Sequence, residues 1–182
     1  MIEQGKKAFY NLEGVDEENT LAIAEISLND SQGHDNNVPE ADLVQRIQLL
    51  NSLGYNVMIS DYTRYFSLRA YFRQYTKLQI GIVVGMINVR QIFNEDSYRG
   101  VEGGILEGFG KLFPDNTRLF VYPELNDIGE VSDFTDVKVQ DHLRFLYRHL
   151  LENGFISGIE CSDKDLFRIY SREVLKKITR FQ

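Results

Sequence analysis

Cysteine is all but missing from this sequence: Cys161 stands alone among 182 residues. A single thiol excludes an intramolecular disulfide and a cysteine-based structural zinc site, and it fits a reducing compartment, so a cytoplasmic location is expected. With no histidine near it in sequence, Cys161 offers no case for nucleophilic work. Proline is scarce too, at three residues, and no Pro-rich or Gly/Ser-rich linker divides the chain. Internal repeats are absent, and the length points to one α/β domain over residues 1–182, a unit of a longer protein or assembly. No window reaches the roughly 18 to 20 apolar residues of a spanning helix, and MIEQGKKAFYNLEG has no apolar core of signal-peptide length. Positive charge is also short. Lys and Arg total 20 against 27 Asp and Glu, a formal net charge of −7, and a field of that sign repels nucleic-acid phosphates and anionic membranes. Neither partner is expected, and any polyanion would need a local patch.

What is present is an ordinary globular composition, 43% hydrophobic and 26% charged, enough for one sizeable core. Apolar positions Ile2, Ala8, Phe9 and Leu12 suit a short helix ending at Gly14. TLAIAEISL, Thr20 to Leu28, reads as a strand, and the polar NDSQGHDNN that follows as a loop. Pro39 then opens a helix with Leu43, Ile47, Leu50 and Leu53 at helical spacing. Tyr55–Ser60, Leu78–Gly85, Arg118–Tyr122 and Phe155–Ile159 read as further strands, the second continuously apolar and so central. Helices are expected over Thr63–Gln74, Ile87–Phe93, Tyr98–Phe113, Val139–Leu151 and, with Leu166, Ile169 and Tyr170 inside it, after the cap at Ser162 or Asp163. ELNDIGEVSDFTD, Glu124–Asp136, reads as a long acidic loop. Strands alternating with helices imply a three-layer α/β/α sandwich around a mostly parallel, about five-stranded, Rossmann-like sheet.

In such a sheet the ligand crevice lies beyond the carboxyl ends of the strands. SDYTR places Asp61, Tyr62 and Arg64 after a strand and before a helix N-terminus, where backbone N–H groups favour an anion; Asn88 follows the next strand. Asp61 would equally serve as a helix cap. The continuation, YFSLRAYFRQYTK, puts Arg69 and Arg73 four apart on one helical face amid Tyr65, Phe66, Tyr71, Phe72 and Tyr75. That composition suits a helix covering the sheet, a subunit interface, or a ledge for a small anionic or nucleotide ligand. YRGVEGGILEGFG has five glycines but no preceding strand and no Lys-Ser or Lys-Thr, so close helix packing explains it better than phosphate binding. His142 and His149 share a helix face without a metal-ligand partner at the right spacing. His34 with Asp30 and Asp35 would meet Asp61 only through an ordered loop.

LLNSLGYNVMIS resembles the helix and strand leading to the second motif of haloacid-dehalogenase-like phosphatases, with Ser60 in the place of their small hydroxyl residue. Their paired aspartates have no counterpart at the first strand, where Glu25 and Asp30 are the nearest acids. A longer resemblance, spanning roughly Thr20 to Glu124, is carried by TLAIAEISL, by LLNSLGYNVMISDYTRYFSLRAYFRQYTK and by IFNEDSYRGVEGGILEGFGKLFPDNTRLFVYPE. These segments resemble the C-terminal region of long bacterial proteins labelled nicotinate- or nicotinamide-nucleotide adenylyltransferases, sometimes labelled TonB-dependent receptors. The first label implies a Rossmann-like fold and a His-x-Gly-His signature; here Gly33-His34 has no second histidine in register, so no catalytic residue carries over. The second label implies a barrel of many alternating strands, which this helix-rich pattern lacks.

Two functions follow as expectations. The first is a cytoplasmic ligand-binding or assembly domain, a homo-oligomer or part of a larger protein, with a pocket at Asp61, Tyr62, Arg64 and Asn88. The second is a nucleotide-acting transferase with phosphate held by Arg64, Arg69 and Arg73 and Mg2+ by Asp61 or Asp127.

Overall fold

A computed structural model describes residues 1–28, 40–126 and 128–160. The loop acids Asp30 and Asp35 with His34, Asp127, Cys161 and the expected terminal helix lie outside the described residues. The helices are α1 (Ile2–Tyr10), α2 (Glu40–Ser52), α3 (Tyr65–Phe72), α4 (Met86–Ile92), α5 (Gly104–Leu112) and α6 (Arg144–Glu152). The strands are β1 (Ile23–Ser27), β2 (Asn56–Ser60), β3 (Ile80–Gly85), β4 (Thr117–Tyr122), β5 (Glu124–Leu125), β6 (Val131–Ser132) and β7 (Ile156–Gly158). None of the described helices is long and apolar enough to cross a membrane.

All five expected strands form, and all pair in parallel, but they do not make one sheet. β1 pairs with β2, with Ser27 opposite Ser60, while β3, β4 and β7 form a separate three-stranded sheet in that order. The expected five-stranded Rossmann-like sheet is therefore corrected to parallel sheets of three and two strands. The reason lies in burial. Leu119, Val121, Val84 and Ile156 are all at most 2% exposed and sit under α4, α5 and α6. By contrast, the described parts of β1, α2 and β2 contribute no buried apolar side chain, and Ser60 is their one buried residue. Apolar runs specify strands through hydrophobic burial, but they do not say which edges meet.

The opposite face of β3 and β4 is covered by α1, and two glycines set how closely. A Cβ on Gly5 would stand 2.4 Å from Val83, and one on Gly81 would stand 2.5 Å from the Phe9 ring. Phe9 also meets Phe120 edge-on at 6.3 Å. The expected helix over Tyr98–Phe113 begins only at Gly104, because Gly100 and Gly104 take φ of 81° and 58°, turns natural to glycine. Within it Gly108 lies against Tyr98, which stacks on Phe66 of α3 at 5.7 Å. The glycine-rich stretch thus contains both turns and a close helix contact. The acidic segment after β4 is more ordered than its sequence suggests: β5 and β6 pair antiparallel, and Asp133 caps a 3-10 turn at Phe134–Asp136.

Candidate functional site

The carboxyl ends of β1 and β2 carry the residues around which the sequence placed a site. Parallel register brings Ser27 opposite Ser60 and leaves Glu25 two residues back on the same face. Ser60 donates its hydroxyl hydrogen to Glu25 Oε1 at 2.6 Å and accepts the Tyr62 N–H at 3.2 Å. Ser27 donates to the Tyr62 carbonyl at 3.4 Å. Together these bonds fold the chain sharply out of β2 toward α3. Ser60 is 8% exposed, and its one hydrogen is committed to Glu25. Its chemical role here is to position the turn.

Tyr65 opens α3 beneath this turn. Burial, and secondarily the Glu25 carboxylate, push its phenol up to about 12. A folded-state value above the ordinary one means that the folded chain holds this proton more tightly. Stability is then undiminished below pH 10 and falls as the pH rises through 10 to about 12. Tyr98 and Tyr147 are raised by burial in the same direction, their hydroxyls donated to the carbonyls of Ile92 and Phe134. We expect steep alkaline unfolding above pH 10, each tyrosine adding a slope of up to about 1.4 kcal/mol per pH unit. Melting temperatures measured from pH 8 to 11.5 should fall less steeply for Tyr65→Phe than for the unaltered chain. Equal slopes would remove Tyr65 from the account.

The predicted ligand residues separate into two groups. Asp61 and Tyr62 are exposed in the turn after β2, and Arg64 is half-buried at the N-cap of α3. Arg64 donates to the Arg99 carbonyl at 2.9 Å and lies 5.9 Å from the Phe66 ring. Among the described residues it has no carboxylate partner within ion-pair distance. Asn88 is half-buried in the first turn of α4, with Oδ1 near Gly85.

Arg69 and Arg73 lie elsewhere. α3 runs from the carboxyl end of β2 back to the amino end of β3, and Arg69 is spent at that far end. It is 7% exposed, with Nε donating to Thr117 Oγ1 at 3.2 Å and a terminal nitrogen to Asn116 Oδ1 at 3.0 Å. Asn116 in turn donates to the carbonyls of Lys77 and Leu78 at 3.0 and 2.8 Å. Arg73 is exposed and reaches back to the Thr76 carbonyl at 3.3 Å. Thus Arg69 joins α3 to the start of β4, while Arg64 remains at the crevice.

The Glu25–Ser60–Tyr65 grouping was not foreseen from the sequence. A carboxylate inside an apolar strand run was its one visible signal. No group of three or more metal-ligating side chains occurs among the described residues. No protein-family model, curated protein or solved structure matches the chain.

Apolar side chains are exposed at both ends of β2, with Leu49 and Leu53 near its amino end and Ile59 next to the turn. Leu49, Leu53 and Ile59 are 61%, 63% and 46% exposed. Tyr62 lies 5.6 Å from Tyr71, and Tyr71 lies 5.1 Å from Tyr75, so three phenol rings run in a row from the end of β2 along α3. The Tyr71 phenol is raised, first by its hydrogen bond with Tyr75.

Proposed function

We propose that this chain is a cytoplasmic assembly domain that associates with a second copy of itself through its first α/β unit. One observation carries the reading: Val44, Leu49, Leu53, Ile59, Tyr62 and Tyr75 all lie exposed on or beside α2, β2 and α3, in a unit whose α2, β1 and β2 bury no apolar side chain among the described residues. Large aliphatic and aromatic side chains left in solvent are the groups that protein interfaces bury. A net charge of −7 opposes association at long range, so the contact is apolar and strengthens as salt screens the repulsion. Sedimentation across a concentration series is expected to give a mass above the monomer, lowered by Leu53→Lys. A monomer at every concentration would overturn the proposal.

A second reading, a nucleotide-acting transferase as the adenylyltransferase resemblance implies, is favoured by Arg64. Its guanidinium stands at the carboxyl end of β2 without a carboxylate partner among the described residues, where an anion could be held. Arg69 is committed to Thr117 and Asn116, so this reading keeps Arg64 alone of the three arginines as its phosphate contact. Nicotinic acid and nicotinamide mononucleotides, NAD, and ATP with magnesium should be tested for a thermal shift. Ligand at a hundredfold excess over its Kd stabilises the folded state by about 2.7 kcal/mol. A shift abolished by Arg64→Ala supports a nucleotide site; no shift with any of them removes it.

A further inference from the structure

β2 has an open edge. It pairs with β1 on one side, and among the described residues no strand lies on the other. Isolated two-stranded sheets are marginal in water, and parallel pairs are slightly weaker than antiparallel ones and normally well buried. Open edges are ordinarily blunted by charge, proline, a bulge or shortness. β7 is only three residues long, and β1 carries Glu25 at its centre. β3 is interrupted by Gly81 and ends on Gly85. β2 reads Asn56-Val57-Met58-Ile59-Ser60 and has none of these devices.

We infer that the β2 edge is the seam of a two-fold dimer, with the β2 strands of two copies pairing antiparallel about an axis at Met58. This rests on the assembly reading and specifies its geometry. The strand is self-complementary in that register. Asn56 of one copy stands opposite Ser60 of the other, polar against polar; Val57 stands opposite Ile59, apolar against apolar; and Met58 stands opposite Met58. A two-fold axis perpendicular to the sheet keeps opposed residues on one face, so the β1–β2 pairs become a continuous four-stranded sheet. Val57 and Ile59 share their face with Ala24 and Ile26, which makes one side of that sheet apolar across the seam. The same operation on β1 would set Glu25 against Glu25, and like charges directly opposed are destabilising. Sequence thus selects β2 over β1 as the edge that meets itself.

The test uses the register. Ile59→Lys or Val57→Glu alone places an unpaired charge in the seam and should raise the dimer dissociation constant at least tenfold. Combined in one chain, the two substitutions set the introduced lysine of each copy against the introduced glutamate of the other, so the double variant should recover most of the lost affinity. A purely structural role for either side chain would not produce recovery. Circular dichroism identifies variants that fail to fold. For that case Met58→Cys in a Cys161→Ser background gives an independent reading. Opposed Cβ atoms in such a pair lie about 4.5–5.5 Å apart, close enough for oxidation to link two copies with little movement. Loss in the single variants with recovery in the double, or cross-linking at position 58, supports the seam. A dimer that ignores Ile59→Lys and does not cross-link overturns the seam while leaving self-association standing. A strictly monomeric chain overturns both.

Discussion

Gly108→Val should lower stability by about 3 kcal/mol, at the upper end of what overpacking costs. A Cβ at this position would lie 2.2 Å from Tyr98 Cε1, 2.6 Å from Cδ1 and 3.3 Å from the Phe66 ring. Those atoms cannot retreat. Tyr98 is 6% exposed, its hydroxyl is held by the Ile92 carbonyl at 2.7 Å, and its ring is stacked on Phe66 and set edge-on to Phe109. The valine must therefore push α5 away from α3 or break the Tyr98 bond. For a chain of this size the melting temperature should fall by about 6–12 °C. Gly110, two residues along the same helix, is the control, because nothing lies within 4 Å of where its Cβ would be. Gly110→Ala should stabilise by up to about 1 kcal/mol, from helix propensity alone. Thermal melts of the two variants side by side separate steric contact from backbone propensity. Equal effects of the same sign would show that Gly108 is not a contact residue.

Arg69→Ala is expected to cost about 2–3 kcal/mol, because it removes one buried and one partly buried hydrogen bond and leaves the buried Thr117 hydroxyl without its donor. Thr117 is fully buried at the first position of β4 and would lose the Arg69 donor. Asn116 would be freed at one end while still holding Lys77 and Leu78 at the other, loosening the entry to β3. Burial, and next the Arg73 charge, lower the Arg69 pKa, but an arginine remains charged throughout the working range. Lysine cannot reproduce the planar fork that serves both Thr117 and Asn116, so Arg69→Lys should be nearly as damaging. Arg64→Ala, which loses one bond to a surface carbonyl, should change stability by no more than about 0.5 kcal/mol. Urea titrations of the three variants test this ordering. An Arg69→Ala protein as stable as Arg64→Ala would mean that the buried fork contributes little and would return Arg69 to the list of ligand contacts.

The contrast between these arginines shows where sequence reading stops. Spacing set Arg69 and Arg73 on one helical face and made Arg64, Arg69 and Arg73 look like one cationic group. Periodicity describes a helix in isolation. It does not reveal that the Arg69 side of α3 turns inward onto the start of β4. Apolar run length was more informative: Tyr55–Ser60, Leu78–Gly85, Arg118–Tyr122 and Phe155–Ile159 each match an observed strand to within two residues, although the continuously apolar Leu78–Gly85 forms an edge and β4 takes the central place. Pairing was illegible for the same reason, since a ladder depends on which surfaces are buried together. The β5–β6 hairpin was missed because each strand is two residues long. Its turn did carry a local signal: Asn126 Oδ1 accepts from the N–H groups of Ile128 and Glu130, and Gly129 takes φ of 80°. At the crevice, Ser60 and Glu25 were both visible as residues. Their bond required parallel register between strands more than thirty residues apart.

The seat of α1 on the β3–β4 face has a consequence in time. Gly5 lies against Val83, and Phe9 against Gly81 and Phe120. During synthesis α1 therefore emerges more than a hundred residues before the end of β4. At about 5–20 residues per second that interval lasts about 5–20 s. Throughout it a nine-residue helix, too short to hold its shape alone, carries Phe9 with its docking surface incomplete. This helix is thus fixed only after β4 has been made, and a nascent chain stalled before β4 would present Phe9 to chaperones or to its neighbours.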